Sequence, residues 1–321
     1  MSETTTAVRP PEPDFETITD QELLTYREAE NRWRASGAAR PFLGEPHPGT
    51  AIEWQEIALP GRNVPVRVYR PAAPTGADAA APGTGLPLVV HVHGGGIVGT
   101  ATQCDWPNSH LSAGLPAVVV SVEHRLVAPD TSLADAADDG WEVLQQVLRH
   151  AAHWGVDPAR TAVFGESFGG LVSALTALRA REAGLELKAQ VLVNPVTEVT
   201  ETMFAYASIE EYAYSPSRAL PLLRYLRRLA VPSGTDSRAL SPLYADDLNG
   251  LAPALVVVPT QDAVADHGRR YAERLRAAGT SVRLSEYPDA KHAFLTLPGL
   301  EPQAEAARAE ILRFLRASLA A

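Results

Sequence analysis

From residue 86 onward, short apolar runs alternate with longer stretches whose apolar positions recur every three or four residues. The runs at 88–92, 117–122, 161–164, 190–193 and 254–258 are rich in Val, Leu and Ala, with little polar alternation. Such runs read as strands covered on both faces. Residues 281–287 read as a further strand. The stretches 133–153, 168–182, 265–278 and 302–319 read as helices. Strand alternating with helix predicts a mostly parallel sheet with helices on both sides, an α/β fold. Upstream, 53–59 and 64–70 flank Pro60-Gly-Arg-Asn63, a cluster of turn residues that predicts a hairpin.

Ahead of the hairpin, Thr19-Asp-Gln-Glu22 has the spacing of a capping box and predicts a helix to about residue 35. Residues 1–17 are polar and Pro-rich and read as a disordered tail. Residues 40–49 hold three prolines and two glycines and read as a linker, and 71–85 as a low-complexity loop. One segment breaks the alternation. Residues 198–241 separate two strands and are too long and too apolar for a bare loop. They predict a helical insertion, either packed core or a cap. The cap is preferred, because the segment leaves a strand end that faces the ligand side of such sheets. The expected division is 1–50 as polar tail plus N-terminal cap helix and 51–321 as the main domain, with 198–241 as the cap insertion.

Composition narrows the partners. The chain has 321 residues, 45% hydrophobic, enough for one large core. Its formal net charge of −10 argues against nucleic acid and anionic membranes. The single cysteine, Cys104, allows no internal disulfide. The first fourteen residues have no apolar signal core, and no segment approaches the ~18 apolar residues of a membrane span. The expectation is a cytoplasmic protein.

The candidate chemistry centres on Gly165-Glu166-Ser167-Phe168-Gly169, which ends an apolar strand and opens a helix. This is the context of a G-x-S-x-G nucleophile elbow. A serine lifted clear of the sheet needs a strained turn, and side chains two residues either way would strike backbone, hence glycine at 165 and 169. His93-Gly-Gly-Gly96 follows the strand at 88–92. Consecutive glycines let backbone N–H groups approach a carbonyl that gains negative charge during acyl transfer. A serine hydroxyl also needs a base. After Ser167 only His267 and His292 remain. His292 sits in a loop past a strand, whereas His267 lies in a helical pattern and reads as a solvated helix residue. For the acid, Asp262 directly follows a strand and is preferred over Asp266, one helical turn later. His91 and His93 alternate like an H-x-H metal motif, with His124 as a conceivable third ligand. No carboxylate–His cluster of metalloenzyme spacing accompanies them, so no metal is expected.

These motifs, together with Ser121-Val-Glu-His-Arg-Leu-Val-Ala-Pro129 and Ser241-Pro-Leu243, resemble the hormone-sensitive-lipase-like family of α/β-hydrolase serine esterases, from about residue 64 to the C-terminus. The resemblance implies the α/β-hydrolase fold. It implies Ser167 as nucleophile, His292 as base and Asp262 as orienting acid, with the N–H groups of Gly95, Gly96 and Phe168 as oxyanion hole. It implies ester hydrolysis without a cofactor, on a small-molecule ester. An acyltransferase, lactone hydrolase or dehydratase could use the same triad. Related small-molecule receptors lack a full triad, which Ser167 and His292 supply here. A homodimer is compatible with this reading. Four positions depart from the family pattern. Phe168 replaces an Ala, Ala293 a Gly, Ile97 an aromatic and His124 a Tyr. None removes a catalytic atom. Ile97 and Phe168 are the expected substrate-binding residues.

Overall fold

Residues 8–72 and 85–320 are described by a computed structural model of the chain. Most of the predicted low-complexity loop, 73–84, and the first seven residues of the predicted tail lie outside them.

The chain opens with α1 (Asp20–Arg34), whose capping box forms as its sequence predicts. The Glu22 N–H donates to Thr19 Oγ1, and the Thr19 N–H donates to the Glu22 carboxylate. A short α2 (Arg40–Leu43) follows, then β1 (Thr50–Leu59) and β2 (Arg62–Pro71). These pair antiparallel across Pro60-Gly61, with Gly61 at φ +79, the left-handed turn conformation glycine accepts without cost. Next come β3 (Leu86–Val92), α3 (Asp105–Gly114), β4 (Val118–Val122), α4 (Leu133–Arg149), α5 (Ala151–Trp154) and β5 (Val156–Glu166). After them run α6 (Phe168–Glu182), β6 (Ala189–Val193), α7 (Ala207–Tyr212) and α8 (Ala219–Ala230). The chain ends with β7 (Ala254–Gln261), α9 (Ala265–Ala277), β8 (Val282–Lys291) and α10 (Ala304–Ser318).

One eight-stranded sheet has the order β1-β2-β4-β3-β5-β6-β7-β8. β2 runs antiparallel to both its neighbours, and β4 to β8 pair in parallel. This is the α/β-hydrolase sheet that the motifs imply. Alternate residues of each inner strand feed two cores. Leu88, Val90 and Val92 of β3 join the core built with α4, α6 and α9, whereas Val89 joins the core under α3 and α10. In register, Val92 faces Val122 on one side and Gly165 on the other. The parallel strands therefore end nearly flush, and the loops after β3, β5, β7 and β8 open on one edge of the sheet.

Several expectations need correction. Residues 8–17 are not a free tail. Phe15 is buried, its ring centred 6.4 Å from Tyr26 of α1 and 6.0 Å from Tyr225 of α8. Arg9 reaches the wholly buried Glu30 carboxylate at 3.1 Å. Polar composition hid one aromatic anchor and one ion pair. The predicted linker at 40–49 begins with the helical turn of α2, which admits Pro41 because the first helical turn lacks an intrahelical N–H bond in any case. The helix expected over 133–153 breaks at His150 into α4 and α5. Helix α3 was not anticipated at all.

The 198–241 segment folds as helical turns around one buried carboxylate. Glu198 accepts from the hydroxyls of Thr200, Thr202 and Tyr206. His267 is not solvated. It is fully buried on α9, where Nδ1 accepts the Thr197 N–H and Nε2 donates to the Met203 carbonyl, both at 3.3 Å. Burial holds its pKa below the usual value, so it is a neutral clamp on the root of the insertion.

If Phe15 anchors α1 to α8, Phe15→Ala should destabilise the protein by about 3 kcal/mol, the low end for a buried Phe. Thermal melting checks this, and an unchanged Tm would show that the N-terminal segment does not hold these helices together.

Candidate active site

The loops at the carboxyl edge of the sheet bring together residues far apart in sequence. Ser167 follows β5, Asp262 follows β7 and His292 follows β8. His292 Nδ1–H donates to Asp262 Oδ2 at 2.8 Å, which leaves Nε2 to accept from Ser167 Oγ–H at 2.9 Å. Asp262 is buried, and its other oxygen accepts the Val264 N–H at 3.0 Å. Asp266 is occupied elsewhere, accepting from the Ser208 N–H and pairing with Arg269.

The elbow is as tight as its glycines suggest. Ser167 has φ 54 and ψ −117, a backbone region that costs an L-residue of order 1–3 kcal/mol. A Cβ on Gly165 would lie 2.1 Å from the Gly169 carbonyl oxygen, and one on Gly169 would lie 2.1 Å from that of Val92. The turn after β3 is equally close. Gly95 has φ +94, and a Cβ there would sit 1.8 Å from the Val98 carbonyl oxygen. Gly94 faces the Ser167 side chain, 3.6 Å from its own hypothetical Cβ to that of the serine. Among the described residues, the N–H groups of Gly95, Gly96 and Phe168 have no acceptor. All three residues line one cavity with Ser167, and Phe168 opens α6, where the helix dipole adds positive potential.

A cavity of about 460 Å³ lies over these groups. Gly94, Ser167, His292, Ile97 and Phe168 line it, with α8 supplying Leu222, Leu223 and Leu226. Trp33 and Arg34 of α1 line it as well. A second cavity of about 410 Å³ reaches Asp262 and His292 and shares Leu222 and Leu297 with the first. Sequence reasoning missed most of these walls. The apolar content of 198–241 predicted a helical insertion, but not what its leucines would face.

Phe168 is both core and wall. Its ring is 1% exposed, lies in van der Waals reach of Gly96 and packs 5.5 Å from the His124 ring. Ile97 is likewise buried at the cavity. Ala293 adopts φ 62, ψ 18, which explains why glycine is usual there, since the left-handed region costs an L-residue roughly 1–2 kcal/mol. His91 and His93 do not act as a pair. His91 Nδ1 accepts from Ser121 Oγ at 2.8 Å and Asn108 Nδ2 at 3.1 Å, so its Nε2–H faces Glu166, 3.6 Å away. His91, Glu166 and Cys104 lie within 4.8 Å of one another, all buried. His93 instead stacks on His124 at 4.3 Å. Burial pushes the Cys104 thiol well above its usual pKa, which makes it a poor nucleophile.

Two influences oppose each other at His292. Burial lowers its pKa, while the Asp262 charge and hydrogen bond raise it, and the net shift is upward from 6.5. The imidazole remains 39% exposed, so water softens the burial penalty and the carboxylate decides the sign.

A family model described as alpha/beta hydrolase fold matches residues 89–296. The carboxylesterase NlhH of Mycobacterium tuberculosis is 34% identical over 99% of both chains. An arylesterase of Saccharolobus solfataricus is 30% identical over 88% of this chain and 87% of its own. Among solved structures, the hyperthermophilic esterase of Pyrobaculum calidifontis superposes with a TM-score of 0.81 at 28% identity, covering 94% of this chain and 95% of that one.

A base must be neutral to take a proton, so kcat/KM should rise with pH through a midpoint above ~6.5. The pair's contribution to stability has the opposite sign. It is complete below ~6.5 and lost as pH rises through the raised pKa. Asp262→Asn removes the main raising influence and should move the kinetic midpoint down, besides lowering kcat by up to about 10⁴-fold through the wrong tautomer. Asp266→Asn should do neither. A pH–rate profile of each variant checks both statements.

Proposed function

The chain belongs to the hormone-sensitive-lipase-like branch of the α/β-hydrolase fold family, and we propose that it hydrolyses small-molecule carboxylic esters through an acyl-enzyme on Ser167. The observation that carries this reading is the unbroken line Asp262–His292–Ser167 beside three unengaged backbone N–H groups. Ser167 Oγ attacks the ester carbonyl as His292 Nε2 takes its proton. The tetrahedral oxyanion forms where the N–H groups of Gly95, Gly96 and Phe168 point, and they hold it without reorganising. His292 then passes the proton to the leaving alkoxide as the C–O bond breaks. Water, deprotonated by the same nitrogen, releases the acid and restores Ser167. Asp262 stays ionised and holds the imidazole with Nε2 toward the serine.

The apolar wall of Ile97, Phe168, Leu222 and Leu226 suits a hydrocarbon acyl or alcohol arm, and the second cavity at His292 gives the other arm a place. The N-terminal helix and the 198–241 insertion are the cap of this site in the proposed reading, because both contribute walls.

Ser167→Ala should abolish turnover of p-nitrophenyl esters while leaving the fold intact, since loss of a triad member costs several orders of magnitude. Activity within about tenfold of wild type in a pure variant would remove Ser167 from the mechanism. Phe168→Ala should act twice. Melting should fall by an amount equivalent to about 3–5 kcal/mol, as for a buried Phe. The ester panel should also shift toward longer acyl chains, by at most ~1–3 kcal/mol per methylene. An unchanged chain-length profile would make Phe168 core only.

A further inference from the structure

One polar stripe of α1 points at the turn after β3. Arg27, Asn31 and Arg34 are spaced by four and three residues and so share a helix face. Each engages the turn or its flank. Arg27 Nε donates to the Ile97 carbonyl and Nη2 to the Val127 carbonyl, both at 2.6 Å. The Val127 N–H in turn donates to the Gly96 carbonyl at 2.7 Å. Asn31 Oδ1 accepts the Gly99 N–H at 2.9 Å. Arg34 Nη1 donates to Gln103 Oε1 at 2.6 Å, and Gln103 Nε2 donates to the Gly94 carbonyl at 3.0 Å.

The last chain has a direct geometric consequence. The Gly94 C=O and the Gly95 N–H belong to one planar trans peptide and point in opposite directions. Whatever grips that carbonyl therefore aims that N–H. Glycines at 94, 95 and 96 leave the backbone free to rotate about this peptide, so sequence alone does not hold the orientation. Two donors hold it from outside, Gln103 Nε2 and His93 Nδ1, each 3.0 Å from the Gly94 oxygen. Gln103 could flip and present its own oxygen. Two donors prevent that, Arg34 at 2.6 Å and the Thr100 N–H at 3.4 Å, because both can only donate and so demand the oxygen end of the amide. Arg34 is itself fixed by the buried Glu30 through Nε and Nη2, each 3.0 Å from Glu30 Oε1. Gln103 is only 5% exposed, and its Oε1 contact with the Thr100 N–H is the reciprocal half of a capping box.

We propose that α1 is a positioning element for the oxyanion turn: Glu30, Arg34 and Gln103 lock the Gly94–Gly95 peptide so that the Gly95 N–H faces the reacting carbonyl. This rests on the assignment of Ser167 and the Gly95 N–H given above. None of the three side chains needs to touch the reacting atoms. Their effect is on transition-state charge, which develops on the oxyanion and not on the ground-state ester.

The test compares Gln103→Glu, Arg34→Met and Ser167→Ala in the full-length protein. Glu at 103 keeps the length and the Arg34 contact but, ionised, has no donor for the Gly94 carbonyl. Loss of a whole oxyanion donor costs ~10²–10³ in kcat, so its misorientation should lower kcat at least about tenfold, with KM within about twofold. The inhibition constant of a trifluoromethyl ketone, which forms a tetrahedral adduct with serine, should weaken in step with kcat/KM. Binding of a non-hydrolysable ether analogue should stay at the wild-type level. Arg34→Met leaves only the long Thr100 N–H contact to hold the Gln103 amide and should lower kcat in the same direction, so it carries the test if Gln103→Glu does not fold. Wild-type kcat in the folded variants, with Ser167→Ala inactive, would overturn the positioning role alone. So would a fall in kcat with unchanged ketone affinity. Hydrolysis surviving Ser167→Ala would overturn the assignment beneath it as well.

Discussion

A close backbone approach between α6 and the end of β3 sets the rest of the site. Helix α6 lies so near the end of β3 that Gly169 has no room for a Cβ beside the carbonyls of Val92 and His93. That contact makes the C-terminal end of β5 a sharp corner with Ser167 in a strained conformation. The strain persists because its surroundings over-determine it. The Ser167 N–H donates to the Val193 carbonyl, while its own carbonyl accepts from Leu171 and Val196. Helix α6 is buried almost along its whole length, so the corner cannot relax by swinging the helix out. The same approach brings the glycine turn after β3 against the serine. One contact thus brings the proposed nucleophile and the proposed oxyanion turn side by side.

Buried carboxylates tie the remaining pieces to this centre. Isolated charges in an apolar interior are costly, and these are all met by several donors. Glu30 accepts from Arg9 and Arg34, Asp105 from Arg67 and Tyr69, and Asp139 from Arg62 and Arg125. Each joins elements distant in sequence. Glu198 does the same within the 198–241 insertion. Removing one donor would leave a charge stranded, so these nodes fix arrangement more than they add net stability. Asp262 differs because its partner titrates, and the balance there serves catalysis as well as architecture.

The inner sheet was legible because β3, β4, β6 and most of β7 bury both faces and so read as continuous apolar runs, such as 118–120, all valine. The hydrogen-bonded line of Ser167, His292 and Asp262 was expected because motif and chain order constrain it. Helix α3 was not, because Asp105-Trp-Pro-Asn-Ser-His carries a proline and few apolar residues. Pro107 is harmless in a first turn, and the helix buries polar groups such as Asn108 and Ser109. His267 misled for a related reason, since α9 carries many charges and only tertiary packing shows which face turns inward. The pocket walls were illegible because they depend on where α1 and α8 settle. No local pattern in either helix says that Trp33 and Leu226 will line one cavity.

The departures from the family pattern are not independent of one another. Phe168 stands where an alanine is usual, and its ring meets Gly96 and His124. His124 itself stands where a tyrosine is usual and stacks between Phe168 and His93. Across the same cavity, Ile97 replaces an aromatic. One aromatic ring has left the position after the glycine turn and another has entered beside the nucleophile. Core regions tolerate exchanges that keep total volume far better than isolated changes. The three substitutions therefore read as a single repacking around the oxyanion turn. Burial lowers the pKa of both His93 and His124, so the stack is neutral and competes with neither His292 for a proton nor the oxyanion for a donor. Chemistry and specificity are thereby separable at this site. In the proposed reading the backbone donors stay where Gln103 and His93 hold the glycine turn, while the rings packed around them shape the space for the ester.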